Sequence, residues 1–169
     1  MTPVIKHFPG LGHVSADTDL YPARDPPLAR LEVDDLIPFS RAVAAGAPVV
    51  LMSNVVVPGL TGGLPTSLAP YLRRQLDFAG LAVTDSLGTG AISGAGFSEP
   101  GAAVAAVTAG ADMALIDATE FGATVTALTR AVTSGALPAG QLDASVGRIL
   151  AAKGMAGCAP GAPVPVVPH

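Results

Sequence analysis

Cysteine is nearly missing from this chain of 169 residues: it occurs once, at Cys158. One thiol builds neither a disulfide framework nor a cysteine-based zinc site. Lysine is almost as scarce, present only as Lys6 and Lys153. Charged residues make up 13% of the sequence, the net charge is -4 and the pI is near 5.1. That balance offers no basic stripe for a polyanion, so no nucleic-acid partner is expected. No run of about 18 apolar residues passes without polar interruption, and no membrane span is expected. The N-terminus lacks a charged region followed by an apolar one, so the chain as written shows no secretory leader.

Apolar residues, by contrast, are plentiful. They make up half the chain, enough for one domain with a real core. Short β-branched runs alternate with longer amphipathic or Ala-rich stretches. "PVIKHF" (Pro3 to Phe8), "PVVLMSNVVVP" (Pro48 to Pro58), "GLAVTDS" (Gly80 to Ser86) and "DMALI" (Asp112 to Ile116) are the expected strands. The second is an unbroken apolar run between prolines, as a strand covered on both faces should be.

Helices fit between and after them. "VDDLIPFSRAVAAG" opens on acidic residues and stops at Gly46. "TSLAPYLRRQLDFAG" offers Thr66 or Ser67 as a cap and places Leu68, Leu72 and Leu76 on one face. "SEPGAAVAAVTAG" has Ser98, Glu99 and Pro100 in cap and first-turn positions. "EFGATVTALTRAVTSG" follows, and "DASVGRILAAKG" closes the pattern with Asp143 as a cap. Residues 155–169, ending in "GCAPGAPVPVVPH", are expected as a flexible Pro-rich tail after a domain over residues 1–154. Parallel strands joined by helices give an α/β fold. Four β-α units are too few for a closed eight-stranded barrel of about 250 residues, and pattern alone does not choose between part of one and a small open sheet.

The reactive side chains gather where the expected strands end. Lys6 and His7 close the first, Asn54 lies in the second, and Asp85 ends the third. That edge is where α/β folds bind ligands. Asp85 suits a nucleophile or a hydroxyl ligand; the plainer reading is a carboxylate capping the next helix. Its neighbour Ser86 lacks the G-x-S-x-G elbow of a serine nucleophile. The following "GTGAISGAG" lacks the glycine spacing of a phosphate cradle and is read as a Gly-rich loop. Lys6 and His7, adjacent on a strand, would point to opposite faces unless the backbone leaves the extended form. After Pro9-Gly10 comes a loop with His13, Asp17 and Asp19. Its plain reading is a solvated surface loop; a metal site from these three is the rarer alternative.

At these residues the sequence resembles a known family. "KHFPGLG" and "AVTDSLGTGAI", in that order, are similar to the two signatures of glycoside hydrolase family 3. The resemblance is to its bacterial β-N-acetylglucosaminidase (β-hexosaminidase) branch, in which Lys-His-Phe-Pro-Gly-x-Gly opens a loop ending in Asp-x-His. "LDASVGRILAAKG" resembles the closing helix, and the likeness runs to about Lys153. The resemblance implies a TIM-type barrel of which this chain is the second half, about strands five to eight.

It also implies roles. Asp85 matches the nucleophile of a retaining mechanism, which forms a covalent glycosyl-enzyme. Lys6 and His7 match ligands of sugar hydroxyls, and Asn54 falls at a position where relatives often carry a histidine. Asp17 matches the aspartate that orients the branch's histidine acid/base. Where that histidine would stand, this chain has Asp19. Three assignments follow: Asp19 is the proton donor, acid/base function is lost, or His13 of the same loop serves.

The implied activity is release of terminal β-N-acetylglucosamine from a carbohydrate substrate; the alternative is an inactive glycan-binding or structural fragment. No cofactor or metal is expected. A complementary half-barrel or a homodimer would cover the open edges of four strands. The branch includes cytoplasmic and exported proteins, so no compartment is implied.

Overall fold

The computed structural model describes residues 2–60 and 68–155. The Thr66 or Ser67 cap, Cys158 and the Pro-rich tail beyond Met155 lie outside the described residues. Four parallel strands form the main sheet: β1 (Val4–Phe8), β3 (Val49–Met52), β5 (Leu81–Ser86) and β6 (Met113–Leu115), side by side in that order. Between β1 and β3 the chain makes a two-residue strand β2 (Ala23–Arg24), a short helix α1 (Leu28–Leu31) and helix α2 (Leu36–Ala44). Helix α3 (Ala69–Gln75) leads into β5, and helices α4 (Gly90–Gly94) and α5 (Glu99–Thr108) lead into β6. A single 3-10 turn, Ala118–Glu120, then opens α6 (Phe121–Thr133), and α7 (Ala139–Ala152) ends the described chain.

The expected strand over Pro48 to Pro58 is two strands. β3 ends at Met52, and β4 (Val55–Val56) pairs with β2 in a separate small parallel sheet. The break falls on Ser53 and Asn54, both buried. Ser53 N–H still reaches the Phe8 carbonyl at 2.8 Å, but the Asn54 side chain turns its hydrogen bonds towards β5. A continuous apolar run conceals this break, because the polar pair inside it interrupts hydropathy only weakly.

The core lies under β1, β3 and β5. Phe8, Val50, Leu72 and Ala82 are fully buried, and Phe8 packs edge-on to Phe39 of α2 at 5.2 Å. Leu68 and Leu72 share the buried face of α3 that their spacing predicts, with Leu76 packed against the same cluster. Helix α5 sits close on the sheet because it presents alanines: Ala102, Ala103 and Ala106 are fully buried. Its start is as read, with Ser98 Oγ accepting the Gly101 N–H at 3.3 Å. The start of α7 is not. It begins at Ala139 after Pro138, which leaves Asp143 one turn inside rather than at the cap. Proline before the first helical residue sets the entry instead.

The edge away from the strand C-termini is bolted by charge. Asp112, just before β6, is fully buried at its side chain. Its carboxylate accepts from the Ala82 N–H, from Arg73 of α3 and from Arg148 of α7 at 2.8 Å. Arg73 also donates to the Phe78 and Gly80 carbonyls. Burial lowers the Arg73 guanidinium against the opposing pull of Asp112. Three elements are thus tied at one end of the sheet, leaving the other end to the site.

Candidate active site

The register brings the C-terminal ends of β1, β3 and β5 level. Phe8 pairs with Met52, and Met52 with Thr84. His7 and Asp85 therefore lie at the same edge, one strand apart. His7 Nε2 stands 3.8 Å from Asp85 Oδ2, and both side chains are partly exposed. The strands that carry them are not neighbours: β3 lies between. An oxygen placed about 2.7 Å from each of the two atoms bridges such a gap, which fits a hydroxyl group.

Lys6 and His7 sit where the backbone leaves the regular extended form. The Lys6-His7 and Phe8-Pro9 peptide bonds are both cis, and the strand register shifts between Ile5 and Phe8. Both Lys6 and His7 line one cavity of about 430 Å³, together with Ile5, Gly10, Leu11, Pro38 and Phe39. Asp85 is not in its wall, so His7 is the residue common to the cavity and the carboxylate.

The loop after Pro9 is ordered by its own residues. Asp17 Oδ1 accepts the Asp19 N–H at 3.0 Å, and the Asp17 carbonyl accepts the Leu20 and Tyr21 N–H groups. This is the local turn that aspartate favours. The loop then docks on the start of α4: Gly90 N–H reaches the Asp19 carbonyl at 2.8 Å and Ala91 N–H the Thr18 carbonyl at 3.2 Å. Two glycines make the contact possible. A Cβ at Gly90 would lie 1.9 Å from the Leu20 carbonyl oxygen, and one at Gly94 would lie 2.4 Å from the Pro22 ring. The stretch "GTGAISGAG", read as a Gly-rich loop, contains helix α4, whose Gly90 and Gly94 form a seat for the loop of Asp17 and Asp19. Glycine there reflects close approach of another segment, a cause that local sequence does not display.

His13 lies elsewhere. Its Nε2 is 3.2 Å from Asp35 Oδ2, at the start of α2. Nearby, Asp25 is buried, and among the described residues its Oδ2 has no hydrogen-bond partner. Desolvation pushes its carboxyl up to about 6, opposed by the His13 charge and assisted by Asp35. Sequence reasoning passed over Asp25, because an aspartate before two prolines looks like a turn residue. Among the described residues no three His, Cys, Asp or Glu side chains gather as metal ligands would. His13, Asp17 and Asp19 therefore do not form such a cluster.

Asn54 is only 3% exposed. Its Nδ2 donates to the Ser86 carbonyl at 2.6 Å and to Thr89 Oγ1 at 3.1 Å. Asp85 itself accepts the Ser86 N–H at Oδ1, 2.9 Å away.

The model of the glycosyl hydrolase family 3 N terminal domain matches residues 1–152. The chain belongs to glycosyl hydrolase family 3. Among curated relatives, the beta-hexosaminidase LpqI of Mycobacterium tuberculosis is 39% identical over 165 residues, covering 90% of this chain and 42% of its own length. A crystal structure of a family 3 glycosyl hydrolase from Mycobacterium smegmatis superposes with a TM-score of 0.81 at 40% identity, covering 89% of this chain and 48% of that one. A family 3 beta-N-acetylglucosaminidase from Paenibacillus superposes with a TM-score of 0.84 at 34% identity, over 98% of this chain and 33% of that one. The chain spans less than half the length of the relatives it matches. No helix of the described residues is long and apolar enough to cross a membrane.

Proposed function

We propose that this chain supplies strands five to eight of a family 3 barrel over residues 1–154, with 155–169 as a Pro-rich tail. Completed by the remaining strands, it hydrolyses terminal β-linked N-acetylglucosamine with retention. The observation that carries this reading is the 3.8 Å approach of His7 and Asp85 at the strand C-termini. Names of relatives support it: the LpqI relative is a beta-hexosaminidase and the Paenibacillus structure a beta-N-acetylglucosaminidase.

In this reading an Asp85 oxygen attacks the anomeric carbon as the bond to the leaving oxygen breaks. Asp19 gives its proton to that oxygen, then takes one from the water that releases the sugar from Asp85. Asp17 orients Asp19 through the bond to its N–H. Lys6 and His7 bind sugar hydroxyls, with His7 reaching both the cavity and Asp85. Asn54, expected among the sugar contacts, is buried and its amide nitrogen is committed to β5 and the turn after it.

The partner is a complementary half-barrel or a second copy of this chain. β1 and β6 are the outer strands of the sheet, and Val4, Met113 and Leu115 on them are exposed. Strand edges with apolar side chains call for a covering strand. The test is to combine the chain with the first half of a family 3 barrel and assay an aryl β-N-acetylglucosaminide. Asp85→Ala should lower turnover by about 10⁴-fold or more, as loss of a nucleophile does elsewhere. Equal rates for the variant and the parent would refute the reading.

A further inference from the structure

Asn54 stands at the break between β3 and β4 and reaches across to the turn that follows Asp85. Its two hydrogen bonds grip that turn at both ends, the Ser86 carbonyl at 2.6 Å and Thr89 Oγ1 at 3.1 Å. A carbonyl only accepts, so the amide nitrogen must face it. Between those points the Leu87 N–H is held by the Leu115 carbonyl of β6 at 2.9 Å. The turn is thus clamped from β3 on one side and from β6 on the other.

Two groups depend on this turn. Its first N–H, that of Ser86, holds Asp85 Oδ1 at 2.9 Å. Its far end opens α4, where the Gly90 and Ala91 N–H groups hold the Asp19 and Thr18 carbonyls. We propose that Asn54 is a positioning residue: its buried amide sets the one turn that orients Asp85 and seats the loop of Asp19. The proposal takes its catalytic consequence from the glycosidase reading, and its structural consequence stands apart from it. Without the amide, the Ser86 carbonyl and Thr89 hydroxyl lose their donor in a part-buried place, and the turn is free to shift.

The experiment has two arms, each on Asn54→Ala and Asn54→His. In the chain itself, amide hydrogen exchange is followed by NMR. In Asn54→Ala the Ser86, Gly90 and Ala91 amides should exchange about 10-fold faster or more, with Val50 and Ala82 unchanged. Unchanged exchange at Ser86 and Gly90 overturns the proposal. In the completed barrel, kcat should fall about 10-fold or more with KM within about 2-fold. Asn54→His keeps a ring N–H for the carbonyl and should recover most of the loss. A raised KM at constant kcat makes Asn54 a sugar contact and overturns the proposal. If the unsubstituted barrel shows no hydrolysis, the glycosidase reading fails, and the exchange arm still decides this one. If Asn54→Ala does not fold, Thr89→Val removes one of the two bonds. The same amides should then exchange faster, and unchanged rates again overturn the proposal.

Discussion

His7 Nε2 approaches Asp85 Oδ2 to 3.8 Å with a whole strand between the strands that carry them. Two features make this possible. The parallel register levels the three strand ends, and β3 stops at Met52 before it can fill the gap. Asn54, where β3 would have continued, is turned down into the turn after Asp85 and leaves the edge open. Break, turn and approach are therefore one arrangement.

The proposed acid/base role distinguishes Asp19 from His13. Asp19 belongs to the segment seated on α4, five residues beyond Asp85, whereas His13 is engaged with Asp35. In a completed barrel, Asp19→Asn should cost about 10²–10⁴-fold in kcat on a glycoside with a poor leaving group. The cost should be much smaller with a dinitrophenyl leaving group, which needs no proton. His13→Ala should stay within about 3-fold of the parent on both substrates. A reversed pattern would give the proton to His13. Comparing the two substrates in parallel checks the assignment.

The seat of that loop is tested at Gly90. A Cβ there meets the backbone oxygen of Leu20 at 1.9 Å, an atom that cannot rotate away. Gly90→Ala should unseat the loop and speed proteolytic cleavage at Leu20 and Tyr21, both more than 60% exposed. Gly122→Ala in α6 is the control, because nothing lies within 4 Å of its Cβ position. That change should leave cleavage unaltered and add roughly 0.5–1 kcal/mol of stability. Timed proteolysis of the two variants reads the difference directly.

These residues also show what could be read in advance. The four main strands, α5 with its Ser98 cap and the leucine face of α3 follow from periodicity and capping chemistry, which act over a few residues. Lys6, His7 and Asp85 were placed by strand ends and by the likeness of two motifs. What escaped depends on contacts distant in sequence. Ser53-Asn54 breaks a strand because Asn54 has a partner 32 positions away. Gly90 and Gly94 are a docking surface only because Leu20 and Pro22 arrive there. Asp112 looked like the start of a strand and is the anchor for Arg73 and Arg148. Hydropathy carries no record of such pairings.

The Asp112 anchor should be costly to break. Its carboxylate is fully buried at its side chain and binds two guanidinium groups and a backbone N–H. Asp112→Ala leaves both arginines uncompensated, and Arg73 is already disfavoured by its burial. A loss of about 3–5 kcal/mol is expected. Arg148→Ala removes the more exposed partner and should cost less, mainly by loosening α7. Urea unfolding of the two variants ranks them; equal losses would show that Arg73 alone does not satisfy Asp112.

Asp25 should make stability depend on pH in the sense opposite to a salt-bridged carboxylate. Burial raises it from its ordinary 3.8 to about 6 in the folded chain. At about pH 3, below both values, it is protonated in both states and costs almost nothing. As pH climbs from about 3 to 6 the unfolded chain ionises first, so folding weakens. Above 6 the full penalty stands, about 3 kcal/mol for a displacement of this size. Asp25→Asn removes the ionisation at nearly constant shape. Its advantage over the parent should be near zero at pH 3 and reach about 2–3 kcal/mol at pH 8, read from urea unfolding across that range. Parallel profiles would mean that Asp25 ionises alike in both states. The His13 charge opposes the effect of burial. His13→Ala should therefore move the Asp25 midpoint further up, and the pH window of the stability loss should move with it.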